Sequence, residues 1–210
     1  MRVPALRSLP APAALLALGI VVAMLAAALA AGIAWQARAR AAVLAAPAGE
    51  VCLVAPSLSY DPASGLDRFA ARPVPSDARC PVCGMFPARA PRWAAQVIYR
   101  DGDVHFFDSP LSLHLFLAEV PRYASGRGRA HVAVQYVTDT AGGGWIDAQG
   151  AYYVHGSSEA GPMRAGNLPA FATLAGAQSF AASRGGRVIT ASQIDGAMLR
   201  QLDTRRTHRH

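Results

Sequence analysis

The sequence predicts an α+β protein, two tandem ββαβ units behind an N-terminal transmembrane helix. Three observations lead there: a long uncharged apolar run near the start, short strand-like runs set off by turn residues, and an order of strand, strand, helix, strand that occurs twice after residue 80. A chain of 210 residues has room for such an anchor and one compact domain, since a domain of ~100 to 150 residues supports its own core.

The apolar run comes first. No charged residue occurs from Ser8 to Ala37. Its centre, Leu15 to Trp35, exceeds the ~20 residues that cross a bilayer core, and signal-peptide cores are usually only ~7 to 15 residues long. An uncleaved anchor is therefore expected, with Trp35 at the interface. Ala28-Leu29-Ala30 offers a small-x-small cleavage site as the alternative. Arg2 and Arg7 against Arg38 and Arg40 give little charge bias. Export of the downstream domain follows from the start-type signal itself. Residues 38–79 are rich in Ala, Pro and Ser and show no sustained period of 2 or 3.6, which predicts a semi-extended tether.

Order begins at Cys80. Trp93 to Tyr99 and Val104 to Phe107 are strand-like and flank Arg100-Asp101-Gly102-Asp103, a hairpin signal. Asp108-Ser109-Pro110 opens a helix with a capping oxygen and a proline in its first turn. Leu111, Leu113, Leu115, Phe116 and Leu117 make that helix mostly buried, and Val132 to Thr138 alternates as the next strand. Trp145 to Asp147 and Tyr152 to His155 then flank a turn at Gln149-Gly150. A helix from Leu174 to Ser183 stops at Gly185-Gly186, Arg187 to Thr190 supplies the last strand, and Ser192 to Leu202 a terminal helix. The expected divisions are an anchor over 1–37, a tether over 38–79, the ordered domain over 80–195, and a helix end with a basic tail over 196–210.

The formal charge of +7 comes from arginines scattered singly apart from Arg127 with Arg129 and Arg205-Arg206, without an aromatic-studded basic stripe, so no nucleic-acid partner is expected. Nor is an enzyme. The chain lacks a phosphate-cradling GxxxxGK, a Gly-x-Ser-x-Gly and a recognisable pair of catalytic carboxylates.

The chemistry lies in sulfur. Two of the three cysteines form Cys80-Pro81-Val82-Cys83-Gly84-Met85. Two thiols at this spacing bind one soft metal or oxidise to a disulfide. A structural zinc site lacks a second pair, because Cys52 lies in the tether. A thioredoxin-like site needs its first cysteine at a helix N-terminus after a strand, and here a Pro-rich segment precedes the motif and prolines follow it. A lone structural disulfide stays open for an exported protein. A methionine favours copper: Met163 sits in the polar, Gly-rich loop 157–166, and Met85 follows Cys83 by two residues. Thiolate with thioether selects Cu(I) over harder cations, although an incidental exposed methionine would look the same. His155, just before that loop, is a candidate to complete or orient the site, while His105, His114 and His131 read as structural.

These pieces combine into a pattern: CGM at 83–85, a hairpin, a buried helix, a Trp-x-Asp segment, a Gly-rich loop bearing Met, and a Phe-Ala...Gly-Gly-Arg-Val ending. Over roughly residues 78–195 the chain resembles the NosL family of nitrous-oxide reductase accessory proteins. The resemblance implies an exported, membrane-tethered Cu(I) metallochaperone of two ββαβ units. Such a protein supplies copper to nitrous-oxide reductase in concert with an ABC-type membrane transporter, with its soluble domain on the periplasmic or outer face of the inner membrane. The family's metal ligands fall on Cys83 and Met163, with Met85 as a further contributor, and Cys80 leaves a Cys-Cys-Met site open. The family is typically a lipoprotein, but Gly49-Glu50-Val51 before Cys52 is not a lipobox. The alternative function is a membrane-tethered thiol-disulfide oxidoreductase using the CPVC pair.

Overall fold

The computed structural model describes residues 55–163 and 167–203, together with positions 24–26, 28, 29 and 32. Those six positions are helical and exposed; most of the expected membrane helix, and Cys52, lie outside the described residues. Among the described residues no helix is long and apolar enough to cross a membrane.

The domain is built on a hairpin. β1 (Ala95–Tyr99) pairs antiparallel with β2 (Val104–Phe107), from Ala95 opposite Phe107 to Ile98 opposite Val104. All nine residues are buried, so both faces of this hairpin are covered. The turn depends on Gly102, whose φ of 93° is left-handed and whose missing Cβ would stand 2.8 Å from Tyr60. Arg127 locks it by pairing with Asp101 (2.8 Å) and Asp103 (2.6 Å) while its guanidinium lies over the Tyr99 ring.

The helix expected after the hairpin is α1 (Pro110–Ala118), capped by Ser109 Oγ, which accepts from the Ser112 amide. Leu111, Leu113 and Phe116 are buried in the main core beside Val97, Tyr99 and Phe107. A short α2 (Val120–Tyr123) follows. β3 (Val132–Thr138) returns on the other side of β1, with an irregularity at Ile98/Tyr99.

The second expected unit is rearranged. β4 (Trp145–Asp147) is expected from the sequence to pair with the strand after it; it pairs instead with β3, Tyr136 opposite Asp147. The loop between them explains this. Asp139 accepts from Gly143 through its carbonyl and from Gly142 through its carboxylate, closing a tight turn that folds the chain straight back on β3. The first sheet therefore has the order β2-β1-β3-β4. The second has β5 (Tyr152–His155) between a two-residue β6 (Ala170–Phe171), which the sequence pattern does not predict, and β7 (Arg187–Thr190). α3 (Leu174–Arg184), capped by Thr173, packs Ala177 and Phe180 against Val154 and Phe171. α4 (Gly196–Leu202) packs on α1. The result is a mixed α and β domain of two antiparallel sheets sharing one core, in which Tyr153, Leu168 and Ile189 of the second half meet Val97 and Phe107 of the first. Strand pairing is thus four plus three, not two equal ββαβ sheets.

Residues 55–79 fall inside the segment read as a tether, and they pack on the first sheet. Leu58 bridges to Val104, the backbone of Arg72 exchanges two hydrogen bonds with the buried Gln96 amide, and the Ala55 carbonyl meets His105 Nε2 at 3.1 Å. The His105 Nδ1 lies 2.8 Å from the Tyr99 hydroxyl, so a neutral ring with its proton on Nε2 satisfies both partners.

Burial holds His105 and His114 down from the ordinary 6.5 to about 4. The unfolded chain therefore takes up these protons first as pH falls. Stability is fully present above ~6.5 and is lost as pH drops toward ~4. Denaturant midpoints measured across that window should fall with acidification, and His105→Gln should flatten part of the slope; a flat profile would contradict the burial of these rings.

Candidate metal centre

The segment Cys80 to Met85 forms a closed turn. Gly84 donates its amide to the Cys80 carbonyl and Cys80 donates to the Met85 carbonyl, each at 2.8 Å. Gly84 has φ 74°, a left-handed position that glycine takes without strain. Arg79 donates to the Gly84 carbonyl at 3.2 Å, and the Arg79 and Arg89 guanidiniums lie over the Phe86 ring at 4.1 and 4.4 Å. Such a turn holds the two sulfurs on one side of the backbone.

A third group meets them there. Asp108 follows β2 directly, one residue before the Ser109 cap of α1, and is completely buried. The Cys83 thiol donates to Asp108 Oδ1 at 3.1 Å, and the two sulfurs and a carboxylate oxygen all lie within 4.8 Å of one another. Asp108 Oδ2 is buried without a hydrogen-bond partner. An orphaned carboxylate oxygen is costly where nothing answers it, and a cation among the three groups would answer it. Both cysteines are free, Cys80 fully buried and Cys83 partly. The Cys80 sulfur, burial, and the Asp108 carboxylate all push the Cys83 thiol up, so the three groups by themselves favour the protonated form. A metal binding here must displace that proton, which a soft cation with high thiolate affinity can do.

Of the residues expected at the site, Cys80 and Cys83 are brought together. Met85 closes the turn with its backbone while its side chain is 40% exposed. Met163 is 36% exposed, in the loop after β5, next to residues 164–166 outside the described set. That loop is anchored by Glu159, which faces Arg92 at 3.7 Å and Arg184 at 3.5 Å. Arg92 belongs to the turn leading from the cysteine segment into β1. His155 is half-buried at the end of β5. Asp108 reads from the sequence only as part of a helix start. The available signal is redundancy, because a helix takes one N-cap and Ser109 already fills it, leaving the preceding acid without a structural role.

The NosL family model matches residues 71–199. The chain belongs to the NosL family. The resemblance read from CGM and the downstream pattern is thus upheld over nearly the same span. The copper-binding lipoprotein NosL of Stutzerimonas stutzeri is 32% identical over 123 residues, which are 58% of this chain and 64% of that relative. The match thus spans a little under two thirds of the relative's length. Among solved structures, the copper chaperone NosL from Shewanella denitrificans superposes with a TM-score of 0.52 at 24% identity, covering 61% of this chain and 97% of that one. That likeness establishes a NosL fold. The solution structure of apo-NosL from Achromobacter cycloclastes has 28% identity and a TM-score of 0.38, over 50% of this chain and 87% of that one.

Proposed function

We propose that this NosL-family chain carries one Cu(I) outside the cytoplasm and hands it to a copper enzyme under assembly, nitrous-oxide reductase, alongside an ABC-type membrane transporter. The apolar run over 15–35 would hold it in the inner membrane with the domain on the periplasmic or outer face. The observation that carries the reading is the pair of converged thiols at Cys80 and Cys83 beside a buried carboxylate, in a chain whose relative is named for copper binding. Cys83 is the principal ligand. Cys80 is the second sulfur, and the Met163 thioether, with Met85, completes a soft set that holds a monovalent ion without redox change. Copper here is cargo, and an exposed methionine on a loop suits a carrier because it can leave first when a partner's ligands arrive.

The oxidoreductase alternative fits the geometry less well. Disulfide exchange needs an accessible attacking sulfur in an electropositive setting. Cys80 is fully buried, and the Cys80 sulfur, burial and the facing Asp108 carboxylate together disfavour the Cys83 thiolate.

Met163→Leu decides the ligand set, because it keeps volume and apolar character and removes only the sulfur. Cu(I) affinity should fall at least tenfold, ~1.4 kcal/mol, with the unfolding midpoint unchanged. Met198→Leu is the control, since Met198 packs against the core. Equal affinities in the two variants would return Met163 to an incidental surface residue and leave the site to Cys80, Cys83 and Asp108.

A further inference from the structure

A cavity of about 460 Å³ lies between the second half of α1, β3, the turn after β4 and the segment 191–199, and none of the cysteines lines it. This size falls in the range of small-molecule sites, roughly 300 to 1,000 Å³. Its walls divide by chemistry. Leu117, Ile194 and Leu199 supply an apolar side; His114, Arg129 and Gln135, with Gln149 and Ser192, supply a polar one, and no Asp or Glu lines the space.

The polar side is unanswered by the protein. Gln135 is only 5% exposed, and among the described residues its amide has no hydrogen-bond partner. No carboxylate among the described residues lies within ion-pair distance of Arg129; burial first, and then the Arg129 charge, keep the His114 ring neutral. His114 stands edge-on to Tyr153 with its Nε2 buried and unpartnered. The guanidinium, the Gln135 amide and the imidazole thus line one space into which the chain sends no carboxylate. A planar acceptor suits the guanidinium fork best, and the leucine and isoleucine walls call for hydrocarbon behind it.

We propose that this cavity binds a small organic carboxylate with an apolar body, its carboxylate on Arg129 and Gln135 and its hydrocarbon against Leu117, Ile194 and Leu199. The site stands apart from the sulfur chemistry and does not depend on the copper reading. Hexanoate is the probe, titrated into the full chain while the methyl resonances of Leu117 and Leu199 are followed, because those signals report the cavity and not solution or detergent partitioning. Saturable shifts with a dissociation constant of about 1 mM or tighter are expected. Hexanol, which has the chain without the charge, and inorganic phosphate, which has charge without the chain, should each bind at least ~tenfold more weakly, as should hexanoate to Arg129→Gln or Gln135→Leu. Cu(I) affinity should not change in Arg129→Gln, which separates this site from the cysteines. The proposal is overturned by unsaturated shifts at ~10 mM hexanoate, by hexanol or phosphate binding as well as hexanoate, or by an Arg129→Gln variant that binds hexanoate like the parent.

Discussion

Cys83→Ser should lower Cu(I) affinity by about 1,000-fold or more, ~4 kcal/mol, while leaving the domain folded. The substitution is nearly isosteric and its hydroxyl can still donate to Asp108 Oδ1, where the thiol now donates at 3.1 Å. What disappears is the partly exposed thiol of the cysteine pair, and a hydroxyl is a hard donor that does not deprotonate for a soft ion. Oxidising Cys80 to Cys83 should have the same effect through a different route, since a disulfide presents no thiolate. Competition with a Cu(I) chelator under anaerobic, reducing conditions measures both. Retention of affinity within about tenfold in Cys83→Ser would move the metal away from this turn, and with it the function proposed here.

Phe116→Ala should cost about 3 to 5 kcal/mol of stability, a large part of the ~5 to 15 kcal/mol that holds a domain together. Phe116 is fully buried on α1, with ring centroids 5.0 Å from Phe107, 5.5 Å from His105 and 6.0 Å from Tyr123. Its removal leaves a cavity between α1 and the first sheet that the flanking strands cannot collapse to fill. Urea denaturation gives the number, with Leu117→Ala, at a half-buried position on the same helix, as a milder comparison. A loss under ~1 kcal/mol would mean that α1 does not seal the core as described. The consequence reaches the metal centre, because Asp108 and Ser109 form the entry to α1 and a loosened helix would no longer fix the carboxylate beside Cys83.

The elements that the sequence declares are those whose causes are local. The β1-β2 hairpin is legible because Asp-Gly sits between two apolar strand-like runs, and α1 because Ser109-Pro110 caps and starts a run of leucines. The cysteine turn is legible because the spacing and Gly84 together dictate it. Residues 55–79 mislead for an instructive reason. Their proline content and missing period say nothing about Leu58 pairing with Val104 or the Arg72 backbone meeting Gln96, since those bonds are made to partners 24 to 46 positions away. An irregular segment held by backbone hydrogen bonds to a distant sheet has no pattern of its own.

By itself the sequence determined the cysteine motif, the family and the order of the main strands and helices, all of which follow from residue type at fixed short spacing. Only the tertiary structure decided which strand joins which sheet. β4 could be assigned only once the Asp139 turn was seen folding it onto β3. The tertiary structure alone also brought Asp108 to Cys83 across 25 positions, and left Arg129 and Gln135 facing a cavity with no acid to meet them. The physical reason is common to all three. Local preference fixes how a backbone turns within a few residues, whereas the meeting of distant side chains is set by how helices and sheets bury their apolar faces together, and that sum is not written at any one position.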